Sequence, residues 1–143
     1  MTAHTGKFLP GPRPETADWW AGCREHKLMI QQCSRCHAFQ FYPRIMCSNC
    51  LSEQVEWVQS AGRGKVVTFT ICRVPVAQAY AADVPYVVAL IQLEEGPTMM
   101  SNIVECDPES VFTGMPLEVV FASWSDEITI PQFRPQADLP GNG

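Results

Sequence analysis

Cys33-Ser34-Arg35-Cys36-His37-Ala38-Phe39-Gln40-Phe41-Tyr42-Pro43-Arg44-Ile45-Met46-Cys47-Ser48-Asn49-Cys50 carries two Cys-x-x-Cys pairs separated by ten residues. Zn²⁺ has no geometric preference of its own and accepts four thiolates in a tetrahedron. A two-residue spacer turns both sulfurs of a pair toward one ion while backbone amides face them. The doubled motif predicts a site built from Cys33, Cys36, Cys47 and Cys50. Four sulfurs leave no position for a reacting water, so such a site is structural and not catalytic. A thioredoxin-like redox pair needs one motif at the start of a helix. Here Phe39, Phe41 and Tyr42 follow the first pair, and Pro43 then blocks a helix. Rubredoxin-type iron uses the same sulfurs, usually with glycine after the second cysteine of each pair. His37 and Leu51 occupy those positions, which favours zinc. His37 itself reads as a surface group, or one that supports the cluster from outside it.

Upstream of this stretch, Pro10, Pro12 and Pro14 with two glycines read as an extended arm. Thr16 is the expected N-cap of a short helix reaching about His26, with Asp18 in its first turn and Arg24 and Lys27 near its end. Trp19 and Cys23 share one face, with Trp20 beside them. Two readings of the tryptophans stand: packing onto the ribbon, or a docking surface for another chain. Leu28 to Gln32 leads as a strand into the first knuckle, and Val55, Trp57 and Val58 leave the second as another.

Downstream, Gly62-Arg63-Gly64 marks a boundary, after which the pattern is purely β. Lys65 to Val74 alternates, with Val67, Phe69 and Ile71 on one face. Tyr86 to Leu93 is almost all apolar, as in a strand buried on both sides. Thr98 to Val104, Leu117 to Trp124 and Ile128 to Phe133 complete five strands. Asp107-Pro108-Glu109 predicts a short helix between the third and fourth. That order is the topology of an OB barrel. The expected fold is therefore mainly β: residues 1–32 form an arm and helix, 33–60 a rubredoxin-like zinc ribbon, and 61–143 an OB-fold domain with a C-terminal tail. The loop from Pro75 to Pro85 is long for a hairpin and reads as a lid or binding loop.

The 143 residues carry a formal net charge of −5. Residues 61–143 hold four basic and ten acidic side chains (−6), and residues 1–60 hold six and five (+1). Phosphate neutralisation supplies most non-specific nucleic-acid affinity, so this barrel repels a nucleic-acid backbone. Met1 to Lys7 is polar, without the apolar stretch of a signal peptide, and no segment approaches a membrane span. With four cysteines on metal, Cys23, Cys72 and Cys106 remain as an odd set. Free thiols beside zinc suit a reducing cytoplasm. No Gly-x-Ser-x-Gly, phosphate loop or catalytic metal motif appears, and His4, His26 and His37 all lie in the first 37 residues. The expectation is no self-sufficient active site.

The ordered set of a tryptophan-bearing helix, the two knuckles, Phe41-Tyr42-Pro43-Arg44, Gly64-Lys65-Val66, Pro85-Tyr86-Val87-Val88-Ala89-Leu90, Glu95-Gly96-Pro97, Asn102-Ile103-Val104, Gly114-Met115-Pro116-Leu117-Glu118-Val119 and Phe133-Arg134-Pro135 resembles the thiolase-associated zinc-ribbon/OB family. The resemblance spans about residues 15–136. It implies a non-catalytic subunit in a complex with a thiolase-fold partner that carries the catalytic residues. Settings in the family include thiolases such as the one cleaving benzoylsuccinyl-CoA, hydroxymethylglutaryl-CoA synthase, and aldolases for steroid side chains. It further implies structural Zn²⁺, an acyl-CoA substrate for the complex, and carbon–carbon cleavage by thiolysis first and retro-aldol chemistry second. Arg24, Lys27, Arg35 and Arg44 are the positive groups best placed in sequence for CoA phosphates, since they lie in the part of the chain that is not acidic. Ordinary solvated charges are the competing reading for each. A free-standing nucleic-acid or protein adaptor, or an iron electron carrier, are the alternative classes. Retention on heparin would support the first, and a visible absorption band the second.

Overall fold

The computed structural model describes residues 7–137. A 3₁₀ turn at Pro14–Thr16 runs into α1 (Ala17–Arg24), so the helix is shorter than its expected span. Thr16 stands at the N-cap as expected, but its side chain makes no capping bond. Its hydroxyl turns backward, accepting from the Arg13 N–H at 2.9 Å and donating to the Arg13 carbonyl at 3.2 Å. The far end closes with His26 in the left-handed region (φ 59°) and the Lys27 N–H returning to the Gly22 carbonyl. A helix terminus usually uses glycine there. His26 offsets the strain by stacking on Phe121 of the barrel, with ring centroids 5.1 Å apart.

The ribbon is a three-stranded antiparallel sheet in the order β2-β1-β3, with β1 at Met29–Cys33, β2 at Phe39–Gln40 and β3 at Val55–Gln59. Strand β1 therefore runs across the boundary expected at 32/33, because Cys33 is both its last residue and the first metal ligand.

The second half is a closed barrel of β4 (Arg63–Cys72), β5 (Tyr86–Leu93), β6 (Thr98–Ile103), β7 (Pro116–Ser123) and β8 (Thr129–Pro135). Its order is β4-β5-β6-β8-β7, with the one parallel pairing between β6 and β8 and β7 closing on β4. This is the OB arrangement. The expected helix at Asp107 is only a 3₁₀ turn, Pro108–Ser110. Its cap is as anticipated, with Asp107 Oδ1 accepting from the Glu109 N–H at 3.0 Å.

Two strand readings need correction. The register of β4 against β5 passes from Val66↔Ile91 to Thr68↔Leu90, so Val67 is the extra residue of a β-bulge. Val67 is 42% exposed, whereas Val66 is 1% exposed and Phe69 and Ile71 are half-buried. Alternation counted through a bulge slips by one, and the same bulge bends β4 so that it can pair with both β5 and β7. Strand β5 is buried on one face only: Val87, Ala89, Ile91 and Leu93 point into the core, while Tyr86, Val88, Leu90 and Gln92 are half-covered. Its continuous apolarity has a second cause, since Val88 lines a groove described below.

Ribbon and barrel share one core. Trp19, Cys23, Leu28 and Ile30 join Val66, Ile91, Leu117 and Phe133 in a single apolar cluster. The connection between the halves is held by a carboxylate in the β5–β6 turn. Glu95 accepts from the Ser60 hydroxyl and the Ala61 N–H, each at 2.8 Å, and the Gly62 carbonyl accepts from the Val119 N–H at 2.7 Å. Gly62 has φ 76°, and a Cβ there would lie 2.6 Å from Val119 Cγ1, so only glycine fits. On the surface, Arg63 pairs with Glu94, Arg73 with Glu109, and Arg134 with both Glu105 and Glu118. Most of the barrel's few cations are thus matched to its own acids. No helix among the described residues is long and apolar enough to cross a membrane.

A four-cysteine metal centre beside an apolar groove

The two knuckles form a near-symmetric pair. In the first, the Arg35 and Cys36 N–H groups point at Cys33 Sγ at 3.3 and 3.4 Å. In the second, the Asn49 and Cys50 N–H groups point at Cys47 Sγ at the same two distances. His37 and Leu51, the residues after each pair, both adopt left-handed φ (64° and 65°), and their N–H groups bond to the carbonyls of Cys33 and Cys47. The role of His37 is thus a backbone one. The residue types missing from a glycine-bearing knuckle still take the glycine-like conformation.

The sulfurs of Cys33, Cys36, Cys47 and Cys50 all lie within 4.8 Å of one another, with Cys33–Cys50 and Cys36–Cys47 at 3.6 Å. A tetrahedral Zn–S bond of about 2.3 Å implies sulfur–sulfur edges of about 3.8 Å. The cluster is of the size that ion requires. Electrostatics point the same way. The Asn49 side-chain amide, 3.5 Å from Cys36 Sγ, leads the contacts that hold that thiol down to about 6, and the Cys36 N–H lowers Cys33. Against the Ser52 amide, which lowers it, burial and the neighbouring sulfurs push the Cys50 thiol up to about 11. Four clustered sulfurs cannot all ionise without a cation among them, and a dication removes that conflict.

The loop joining the knuckles is organised by two glutamines that sequence reasoning passed over. Gln31 Oε1 accepts from Gln40 Nε2 (2.7 Å) and the Arg44 N–H (2.9 Å), while Gln31 Nε2 donates to the Arg44 carbonyl (2.9 Å). Gln40 Oε1 accepts from the Ser48 N–H at 2.8 Å. Both glutamines are buried. A glutamine on a short strand reads as surface, so no signal in the chain marks this network.

Trp19 is 8% exposed and belongs to the core, while Trp20 is half-buried and faces a groove of about 510 Å³ between α1, the knuckle loop and the barrel. Trp19 thus packs in the core as one reading expected, while Trp20 lies at the groove. An aromatic run, Trp20–Trp19–Phe41–Tyr42, forms one wall, with successive centroids 4.5, 5.8 and 4.7 Å apart. Met100, Ile130 and Pro131 also line the groove, and no charged side chain among the described residues does. Tyr42 and Met100 are more than half exposed (52% and 57%). The Trp19 indole N–H is buried without an acceptor among the described residues.

The four cations singled out for CoA phosphates are spread along β1. Lys27 precedes the strand and pairs with Glu25 at 3.3 Å, and Arg24 donates to the Glu127 carbonyl at 3.2 Å. Arg35 lies past the strand's far end, in the first knuckle, and Arg44 lies beside its middle at Gln31. Both Arg35 and Arg44 are exposed.

Of the three other thiols, Cys23 is fully buried, and burial pushes it up to about 12. It is protonated in the fold and ionises in the unfolded chain above its ordinary value of 9.0. Stability is therefore expected to fall as pH rises from about 9 toward 12. Iodoacetamide is expected to spare Cys23 in native protein and modify it after urea unfolding, as read by peptide mass.

A closed four-thiolate centre on a small ribbon, fused through one core to an OB barrel, defines a zinc-ribbon/OB-fold protein. Residues 20–56 match the family described as "ChsH2, rubredoxin-like zinc ribbon domain", and residues 57–122 match "ChsH2, C-terminal OB-fold domain". The chain belongs to this DUF35 family. It is 35% identical over 111 residues to a DUF35 domain-containing scaffold protein of Pyrococcus furiosus, covering 77% of this chain and 80% of that one. A probable enoyl-CoA hydratase alpha subunit of Thermomonospora curvata is 33% identical over 128 residues, covering 87% of this chain. This chain spans only 40% of that relative's length. Among solved structures, a chain of the Ltp2-ChsH2(DUF35) aldolase superposes with a TM-score of 0.80 at 31% identity, covering 89% of this chain and 98% of that one. The chain is thus homologous to scaffold proteins and to subunits of hydratase and aldolase assemblies.

Proposed function

We propose that this chain is the accessory subunit of an acyl-CoA complex, whose partner supplies the reacting groups. The observation that carries the reading is the uncharged groove where ribbon, helix and barrel meet. Its wall pairs half-exposed Tyr42 and Met100 with Trp20, an aromatic and methionine composition typical of the cores of subunit interfaces. The catalytic subunit is the occupant assigned to it. A carbonyl of that subunit is the natural acceptor for the orphaned Trp19 N–H.

Retro-aldol carbon–carbon cleavage takes precedence over thiolysis, because the aldolase chain shares 31% identity over 98% of its length. Either partner class has a thiolase fold in this reading. The ring-rich wall suits a bulky apolar acyl group, steroid or benzoyl in type, approaching along the subunit boundary. Arg35 and Arg44 are the candidate contacts for CoA phosphates, because neither guanidinium is committed to an ion pair among the described residues.

A tagged chain isolated from its native cell is expected to bring down one subunit of thiolase size, and Met100→Glu is expected to release it by placing a charge in the groove. Recovery of the partner with the variant, at wild-type yield, overturns the docking assignment. Within the complex, changing Arg35 and Arg44 together to alanine is expected to raise the KM for the CoA substrate with kcat little changed. The scale is about tenfold for each 1.4 kcal/mol of lost phosphate contact. Unaltered kinetics remove the phosphate role.

A further inference from the structure

The β4–β5 loop and the β7–β8 turn meet at one end of the barrel around a second cavity of about 600 Å³. In OB folds these two loops, with the second and third strands, form the usual ligand face. Here Tyr86 of β5 and Asn102 of β6 belong to its lining. Lys7 lies in the same lining with its side chain only 20% exposed. Its Nζ is 2.7 Å from Asp83 Oδ2, 5.7 Å from the Tyr80 ring centroid and 5.1 Å from the Trp124 ring centroid. Two ring faces attract a cation through their quadrupoles. A carboxylate at hydrogen-bond distance adds a demand that a quaternary ammonium cannot meet, namely an N–H donor.

The segment that brings Lys7 there is held against Tyr80 through Phe8. The Phe8 N–H donates to the Tyr80 hydroxyl at 3.2 Å, and the Phe8 ring meets Tyr80 edge-on at 5.7 Å. Phe8 nevertheless stays 68% exposed. The Asp83 carboxylate behind the ion pair is itself 43% exposed, so a competing ammonium can reach the clamp from solvent.

We infer that the Tyr80–Asp83–Trp124 clamp is a binding site for a primary alkylammonium group, filled by Lys7 in the chain alone and open to an ammonium from another molecule. A lysine side chain of a protein and a free diamine share that chemistry. The site stands on the barrel end alone and does not depend on the proposed partnership.

The test uses the full chain with Lys7→Met, which keeps the aliphatic stem and removes the charge. The Trp124 indole N–H is followed by two-dimensional NMR during titration with Nα-acetyl-lysine amide and with putrescine. A saturable shift is expected in the variant, at least ten times weaker in the unsubstituted chain, and lost on adding Asp83→Asn. Tetramethylammonium is expected to bind at least tenfold more weakly than either amine. The tighter of the two amines identifies the source. Unmoved indole resonances of Trp19, Trp20 and Trp57 and an unchanged zinc content report an intact fold, and Lys7→Gln repeats the titration if the first variant disturbs them. The proposal is overturned if neither amine shifts Trp124, if binding equals that of the unsubstituted chain, or if Asp83→Asn leaves it intact.

Discussion

Removing the metal with a strong chelator, or replacing Cys47 with alanine, is expected to unfold residues 29–59 while leaving the barrel strands protected. Apart from the metal, the ribbon is held by the edge it shares with the barrel core, through Ile30 and the half-buried Trp57 and Val58. Its sheet consists of strands of five, two and five residues. Between the knuckles, its interior is the Gln31–Gln40 network and not apolar packing. Structural zinc in small fingers contributes about 10–16 kcal/mol, comparable with or larger than the net stability of most domains, about 5–15 kcal/mol. Cys47 is 1% exposed, so its loss leaves three crowded thiols in a buried site. Hydrogen exchange read by mass spectrometry checks the outcome segment by segment, beside metal analysis giving one zinc per untreated chain and no iron-thiolate absorption. Full amide protection across 29–59 in the metal-free chain would falsify the account of the ribbon.

The barrel has the opposite economy, and its largest single effect is expected at Phe133. That side chain is 0% exposed, pairs with Val119 across the β7–β8 ladder, and sits at the parallel pairing with Ile103 that helps close the barrel. Phe133→Ala is expected to cost about 3–5 kcal/mol, through lost transfer energy and a cavity that the closed sheet cannot collapse. Urea unfolding followed by barrel-specific amide signals measures it. Val67→Thr supplies the contrast. Because Val67 is the bulged, exposed residue, its change is expected to stay within about 0.5 kcal/mol. A large loss at Val67 with a small one at Phe133 would mean that the register of β4 is misassigned.

The apolar groove and the barrel-end clamp illustrate two levels of legibility. Trp19 and Trp20 stand out in the chain, and their alternative roles are both readable there. Which one is core is not readable, because the answer depends on how α1 lies between ribbon and barrel. The clamp was legible only as an over-long loop. Lys7, Asp83 and Trp124 are far apart in sequence, and Lys7 is an ordinary terminal cation until the fold carries it over two rings. The four basic residues near the ribbon show that neighbours in sequence need not be neighbours in space. Nearness in sequence suggested a cluster, but an extended β1 places Lys27 and Arg35 beyond opposite ends of a five-residue strand, about 17 Å long at 3.3–3.4 Å per residue.

What the chain alone determined is everything governed by local spacing. Two x-x spacers bring the sulfurs of each pair together whatever surrounds them, and five apolar-patterned runs with one interruption leave the OB order as the economical closure. The four-cysteine cluster and the strand count were readable for that reason, and the family through the resemblance of its ordered motifs. Tertiary structure decided what depends on groups distant in sequence: the bulge that turns Val67 outward, the Glu95 carboxylate that ties ribbon to barrel, and the glutamine pair beneath the knuckle loop. Each relies on a partner brought close by chain closure, and local pattern carries no record of which distant group that will be.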